Sequence, residues 1–543
     1  MSKERKNVMK KKVISIMLVV AMLCTMFVGC GKKTTSSGNT LTVGIMQNAN
    51  VTDFDDNAFT KYLEETVGVD IQFTFFSSAG SEAIQQLSLT VSAGKELPDV
   101  LLGFHEMNHY VVNQYGEDGY FIDLTKLIDK HGKNYKAALE KISKEDREYI
   151  QEKAVNTNTG EIYAMPLAVC PAYDDTQSLM YINQDWLNKL GLQAPTNIEE
   201  LRKVLTAFKT QDPNGNGQPD EIPMLGGFLT RSNDIMAYLI NAFVHLDTGY
   251  NFNVTDGKVW DPLVTDELRQ ALIYANQLVK DGLLSDMCFT LRANNEFTSL
   301  ISPTDGPSKV GIFCGHPETY FNKQTNVAAS FTALPALSDA TGKGGYMVVS
   351  PSPVVWCSYI TKDCENPDLG MKLIDALYSD ESIQRARHGE KDVDWTYGEG
   401  ISSHGTKAYV NIINGEAFFK GNSTWCKNPA GIMTMENYLP VAVEGEGVLA
   451  ELSRLQKETW ELVQNAKQPE ERAINLLYSQ EEYEVREEYN SVVADYFSDT
   501  INNFISGELN PNDDAEWNKY LSTMQEVGRD KLLKVAQSAY DRK

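Results

Sequence analysis

Oxygen-bearing side chains at alternating positions mark one short loop of this 543-residue chain, Asp212-Pro213-Asn214-Gly215-Asn216-Gly217-Gln218-Pro219-Asp220-Glu221. Counted as a loop of EF-hand type, Asp212, Asn214, Asn216 and Asp220 fall on positions 1, 3, 5 and 9. Gly217 stands sixth, where the backbone must turn sharply, and Gln218 stands seventh, where a main-chain carbonyl is used. Hard oxygen donors at alternating positions of so short a loop converge on one centre, which suits Ca²⁺. The bidentate Glu expected at position 12 is replaced by Pro223, and Glu221 is the acid nearest to that role. No donor set here leaves an open catalytic position, so a bound ion would be structural.

A second pattern, His105-Glu106-Met107-Asn108-His109, matches the HExxH signature of zinc hydrolases. That chemistry needs both histidines on one helical face, a Glu as base and a third ligand farther on. Val112 and Tyr115 occupy the places where a metzincin continuation would put Gly and His, and Gly116, Gly119 and Gly132 interrupt the segment downstream. His105 is therefore expected in a loop that touches ligand, with no zinc. Carboxylates are abundant, yet no pair stands out as a glycosidase couple, and no GxSxG, P-loop or dinucleotide fingerprint occurs. Beyond Cys24 and Cys30, the cysteines Cys170, Cys288, Cys314, Cys357, Cys364 and Cys426 are scattered without a CxxC pair. A metal cluster built on thiolates is not expected, and pairing is not legible from spacing.

The first residues read as an export signal. Lys3, Arg5, Lys6, Lys10, Lys11 and Lys12 precede an uncharged apolar run from Val13 to Val28. The run is shorter than the ~20 residues of a spanning helix, and it ends at Gly29-Cys30. Phe27-Val28-Gly29-Cys30-Gly31 resembles a bacterial lipobox, with Phe27 where an aliphatic residue is usual. The expectation is a signal peptide over 1–29 and acylation of Cys30, whose buried methylenes would hold the protein to the membrane. Residues 30–40 are small and polar and read as a lipidated tether. The net charge of −25 carries no basic footprint for nucleic acid.

The elements that must position these groups follow an α/β rhythm. Leu41 to Ile45 reads as a strand, and Asn57 to Thr66 as a helix stopped by Gly68. Val69 to Phe76 alternates Val69, Ile71, Phe73 and Phe75 as a strand. A helix from Glu82 to Ala93 and a strand from Pro98 to Leu102 complete the series, the mark of a mostly parallel sheet covered by helices. Ligands in such sheets bind at the carboxyl ends of the strands, which places Phe76, Ser77, Gly103 and Phe104 near a site. Farther on, Thr196 with Glu199 reads as a capping box, and Asn366-Pro367-Asp368 as a helix start. The last hundred residues read as helical with a charged exterior.

Several segments together resemble extracellular solute-binding protein family 1, in its lipoprotein branch. The most specific is Tyr181-Ile182-Asn183-Gln184-Asp185-Trp186-Leu187-Asn188-Lys189-Leu190-Gly191-Leu192, continuing through Pro195-Thr196 to Asp220-Glu221-Ile222-Pro223. Leu97-Pro98-Asp99-Val100, Gln114 to Gly119, Gly389 to Trp395 and Ala539 to Arg542 support it. The resemblance implies a two-lobed periplasmic-binding-protein-like α/β fold of type 2, with discontinuous lobes that close over a sugar or oligosaccharide. The implied N-terminal lobe is 41–166 with 352–410, and the C-terminal lobe is 167–351 with 411–543. Crossovers are implied near Pro166, around Val348 to Pro353 and near Ala408. It further implies a monomer at the outer face of the cell membrane that passes its cargo to an ABC transporter permease, without enzymatic activity. A structural Ca²⁺ would be held by Asp212, Asn214, Asn216, the Gln218 carbonyl, Asp220 and Glu221.

A carbohydrate presents flat apolar ring faces and a belt of hydroxyls, so its site needs aromatic platforms and planar polar groups. Candidate platforms are Trp395, Trp425, Trp356, Tyr173 and Phe228, with Phe76 beside them at a strand end. Candidate polar contacts are Asn48, Asp53, Asn57, His105, Asp174 and Arg231. Two other readings stay open at this point: a binding lipoprotein for peptides or other solutes, and a surface-anchored glycan hydrolase or zinc peptidase.

Overall fold

The computed structural model describes residues 39–542, apart from 157, 170–178, 229–232, 248, 292–293, 348–353, 416–421, 427–428, 470, 474–475 and 477. The expected signal peptide and Cys30 therefore lie outside the described residues, as do Cys170, Tyr173, Asp174 and Arg231.

Fifteen strands are present among the described residues: β1 Thr40–Met46, β2 Asp70–Phe76, β3 Val100–Leu102, β4 Met165–Ala168, β5 Met180–Asn183, β6 Ile222–Leu225, β7 Asn253–Thr255, β8 Lys258–Trp260, β9 Val310–Cys314, β10 Phe331–Ala333, β11 Val354–Ile360, β12 Trp395–Ile401, β13 Lys407–Ile412, β14 Gly431–Ile432 and β15 Glu471–Arg472. They form two principal sheets, one in each lobe. The first runs β14-β4-β11-β3-β1-β2 and the second β10-β5-β9-β6. In the first sheet β1 is parallel to β2 and β3, and β14 to β4, while β11 runs antiparallel to both of its neighbours. The second sheet is mixed, with β5 antiparallel to β9 and β10 and β6 parallel to β9.

Local chemistry explains the first lobe. Asn57 caps the helix Ala58–Val67 by accepting from Phe59 N–H, and Gly68 closes it at φ 74°, a left-handed conformation that glycine adopts without strain. Leu41, Val43 and Ile45 then point from alternate positions of β1 into an apolar layer with Phe59, Leu63 and Leu373. Leu101, Phe76 and Met46 enter a separate layer with Phe104, Met107 and Trp356. Both faces of the sheet are thus covered, as its parallel strands require. Gly44 is needed for that closeness, because a Cβ there would sit 2.6 Å from the Leu101 side chain.

The second lobe is built on one larger core. Tyr181 and Ile182 of β5 pack with Leu201, Leu205 and Phe208 of the helix Ile198–Thr210 and with Phe497 and Ile501 of the long helix Gln480–Ser506. The capping box expected at Thr196 begins one residue later. Asn197 is the N-cap, accepting from Glu199 and Glu200 N–H, and the Glu200 carboxylate reaches back to Thr196. The start at Asn366 has the expected form, with Pro367 in the first turn and the Asn366 side chain accepting from Leu369 N–H. The C-terminal region carries four helices, Val448–Asn465, Gln480–Ser506, Asp514–Glu526 and Arg529–Tyr540.

After β13, Trp425, Ala430 and Ile432 lie in the same core as β1 and β4, and β14 extends the first sheet by pairing with β4. Met433, Tyr438 and Leu439 form a separate small cluster with Ile383, against which Trp460 of the helix Val448–Asn465 packs.

Candidate ligand-binding site

The carboxyl ends of β1 and β3 open on a small recess lined by Ile45, Met46, Phe54, Leu102, Gly103, Trp425 and Pro429. Around it the expected site residues separate into core and rim. Trp395 is fully buried (0 % exposed), its indole N–H donating to the Gly389 carbonyl at 2.9 Å and its ring edge-on to Tyr397. It anchors the loop before β12 and presents no face to a sugar. Trp425 is 2 % exposed and packs against Phe54, Phe59 and Phe73, with its N–H donating to Thr60 Oγ1 at 2.9 Å. Trp356, Phe76 and Phe228 are likewise buried, Phe76 edge-on to Phe104 and Phe228 against Phe289. These five rings pay for core packing first, because the strand and loop positions that carry them face inward.

The polar candidates divide in the same way. Asn57 is fully enclosed, and its amide donates to the Thr424 carbonyl at 2.9 Å while its oxygen caps a helix. Asp53 is exposed and folds its own loop, accepting from Asp55 and Asp56 N–H. Asn48 accepts from Asn50 N–H. His105 is half-buried, with Nδ1 2.8 Å from the Gly103 carbonyl. Asp53 and His105 keep surface at the strand ends.

The HExxH segment does not form a helix. The helix begins at His109, with Asn108 as its N-cap, so His105 lies in the turn before it and the two imidazoles do not share a helical face. His109 is buried beside Trp356, and burial first and Lys153 second keep its imidazole below the ordinary range. Among the described residues no group of three or more His, Cys, Asp and Glu is placed to hold a metal ion. Cys288, Cys314, Cys357 and Cys364 are buried free thiols, and Cys426 is buried as well.

The acidic loop is wound tightly. Asp212, at φ 45°, accepts from Gly215 N–H at 2.9 Å and Gly217 N–H at 3.1 Å. Asn214 Oδ1 accepts from Asn216 N–H and Asn216 Oδ1 from Gln218 N–H, while both side-chain amides donate to Asp220 Oδ1. Asp220 also pairs with Lys309 at 3.0 Å, and these donors hold its carboxyl down at about 2. Glu221 is the exception. Its Oε1 is buried without a hydrogen-bond partner, and burial, with Asp212 and Asp220 beside it, raises its carboxyl above the ordinary range. The loop thus carries carboxylate, amide and carbonyl oxygens on ten consecutive residues, with one Glu221 oxygen unsatisfied.

Sequence reasoning passed over the place where the lobes meet. Arg387, at the end of the helix Asp380–His388, lies over the Tyr438 ring at 3.6 Å, and His404, in the β12–β13 turn, lies 4.8 Å from the Trp460 ring. No spacing rule marks these residues, since they come from separate elements brought together by folding.

A family profile described as bacterial extracellular solute-binding protein matches residues 48–285. Over those residues the chain is similar to this family of extracellular solute-binding proteins. A similar member is the fructooligosaccharide ABC transporter substrate-binding protein FusA of Streptococcus pneumoniae serotype 4, 30 % identical over 346 residues, which are 61 % of this chain and 60 % of FusA. Lipoprotein LipO of Bacillus subtilis is 25 % identical over 51 % of each chain. The matched stretch thus spans about three fifths or less of these curated relatives. Among solved structures, a solute-binding protein from Bifidobacterium longum subsp. infantis superimposes with a TM-score of 0.74 at 25 % identity, over 94 % of this chain and 99 % of its own. FusA in complex with kestose superimposes with a TM-score of 0.73 at 21 % identity, over 93 % and 99 %. This chain therefore has the two-lobed α/β fold.

Proposed function

We propose that this protein captures an oligosaccharide between its two lobes, outside the cell, and hands it unchanged to an ABC transporter permease. One observation carries the reading. Two α/β sheets belong to a chain 30 % identical to a fructooligosaccharide-binding relative. Strand carboxyl ends gathered at the junction of two lobes are where such sheets take ligands, and hinge closure about a few connecting residues traps them. In this reading the lobes comprise residues 41–168 with 354–439, and 180–347 with 448–543.

The same reading places the chain at the membrane by an acylated Cys30, followed by the small polar tether. Among the described residues no helix is long and apolar enough to cross a bilayer. The acidic loop then holds a structural Ca²⁺ through Asp212, Asn214, Asn216, the Gln218 carbonyl, Asp220 and Glu221. The orphaned Glu221 oxygen supports this assignment, and a FusA variant with an altered EF-hand has been crystallised with fructo-nystose. Of the expected ligand contacts, His105 and Asp53 are retained as rim residues.

The test is a thermal-shift screen of the purified protein against kestose, maltotriose, raffinose and lacto-N-tetraose, with tri- and tetrapeptides in parallel. A ligand at 100 times its Kd stabilises by about 2.7 kcal/mol, so one saccharide is expected to raise Tm by several degrees and to be recovered intact. A shift with peptides alone, or a saccharide cleaved during incubation, would overturn the reading.

A further inference from the structure

At the junction of the lobes three half-buried polar side chains each have one buried atom unsatisfied. Arg387 Nη1 has no hydrogen-bond partner among the described residues, and neither has Nε2 of His388, the next residue. His404 Nε2, from the β12–β13 turn, is in the same state. One small apolar cluster brings Arg387 and His404 together, and His388 stands beside Arg387 in the chain. The cluster contains Tyr438, under the Arg387 guanidinium, and takes in Trp460, beside the His404 ring.

The cluster also fixes where in the fold these groups stand. Met433 and Val169 belong to it, each one residue past the carboxyl end of β14 or β4 in the first sheet. Trp460 arrives on the helix Val448–Asn465, whose Leu452 and Leu455 lie in the second-lobe core. From the second sheet, His316 follows the carboxyl end of β9 and lies near enough to Arg387 and Glu318 for both charges to act on it. Strand ends of both lobes thus frame the same spot.

The acid facing this spot is already committed. Glu318 accepts from Gln456 Nε2 at 2.6 Å, and Gln456 Oε1 accepts from Ser403 Oγ at 2.9 Å. No described carboxylate pairs with Arg387, in a chain with 74 acidic and 49 basic residues. A guanidinium with an unsatisfied nitrogen, followed in the chain by one such imidazole and sharing its apolar cluster with another, is costly to keep in the free protein unless a guest completes it.

The guest's chemistry follows from the donors and acceptors. The guanidinium only donates, and each imidazole nitrogen donates or accepts according to its tautomer. Burial keeps His388 and His404 neutral, so both nitrogens retain that choice. A carboxylate accepts only, whereas a hydroxyl does both and matches all three groups. Resting on the oligosaccharide reading above, we propose that Arg387, His388 and His404 form the hydroxyl-recognition point of the site and take adjacent hydroxyls of a neutral sugar ring at the lobe junction.

Titration calorimetry on the purified protein tests this with kestose, maltotriose, raffinose and lacto-N-tetraose as neutral probes and a galacturonic acid trimer as the acidic one. Arg387→Met and His404→Phe are each expected to weaken the tightest neutral probe at least tenfold. The Tm of the free protein should shift by no more than a few degrees, because each change removes an unsatisfied nitrogen together with one weak contact, the Arg387–Tyr438 stack or the 3.2 Å Ser403–His404 hydrogen bond. Arg385→Met, on the same helix but paired with Glu381, should bind like the parent. Should R387M fail to fold, Arg387→Lys keeps the charge, loses the planar fork, and reads the same loss. Neutral probes bound equally by parent and variants would overturn this proposal and leave the oligosaccharide reading standing. Tighter binding of the galacturonic acid trimer, lost in R387M, would replace hydroxyl recognition by carboxylate recognition. No saccharide bound by the parent would remove the oligosaccharide reading itself.

Discussion

The rings of Tyr110 and Tyr483 stack with centroids 5.1 Å apart and planes 16° from parallel. Tyr110 stands on the helix His109–Glu117, whose Val112 lies in a first-lobe core layer. Tyr483 stands on the helix Gln480–Ser506, whose Val493 and Phe497 lie in the second-lobe core. The pair therefore ties the two lobes to each other. Such a stack contributes about 0.5–1.5 kcal/mol beyond its buried area. Tyr483→Ala is expected to raise the radius of gyration of the free protein in small-angle scattering and to weaken sugar binding by a few-fold. An unchanged scattering profile would show that the stack does not hold the lobes together.

Calcium should act through Glu221. Its folded carboxyl is raised above the ordinary value of 4.5, first by burial and then by Asp212 and Asp220. An acid raised in the folded state costs stability as pH climbs through its range and it is forced to ionise. Without metal, Glu221→Gln should therefore be neutral or stabilising at pH 7. With millimolar CaCl₂ the parent should melt higher and the variant should gain little. Differential scanning calorimetry in CaCl₂ and in EGTA separates the two, and an equal calcium response in both proteins would remove Glu221 from the ion's ligands.

His404 supplies a pH signature. Burial holds its imidazole at about 4, against an ordinary value of 6.5. Below pH 6.5 the unfolded chain takes up a proton that the folded chain refuses, so stability is full above 6.5 and falls as pH drops towards 4. The loss from this one group approaches about 3 kcal/mol. Urea unfolding of the parent and of His404→Gln across pH 4 to 7.5 should show the slope flattened in the variant, since His316 and His388 remain in both. Parallel curves would mean that His404 is solvated.

Trp395 should behave as a core residue. Its ring is wholly enclosed and its N–H is satisfied by the Gly389 carbonyl. Trp395→Ala should cost about 3–5 kcal/mol of stability, read as a lower urea midpoint, while the folded fraction keeps its sugar affinity. Binding lost without loss of stability would return Trp395 to the site.

Much of the first lobe was legible because its signals are local. Asn57, Gly68 and the apolar alternation of β1 act within a few residues, and the helix and strands stand where that patterning puts them. The loop from Asp212 to Glu221 was legible for the same reason, since ten consecutive residues supply its oxygens and its turns. Aromatic rings near strand ends were not so readable. A Trp beside a glycine-rich loop serves equally as a platform or as a plug, and the choice depends on which side of the sheet the returning chain covers.

The sequence by itself determined the α/β rhythm, the acidic loop and the likeness to solute-binding proteins, because each rests on residues near one another in the chain. Only the tertiary structure decided that Trp425, Ala430 and Ile432 pack in the first-lobe core, that Trp395 is interior, and that Arg387 lies over Tyr438 while His404 lies beside Trp460. Those outcomes turn on which distant surfaces bury against one another, and burial is a property of the assembled chain.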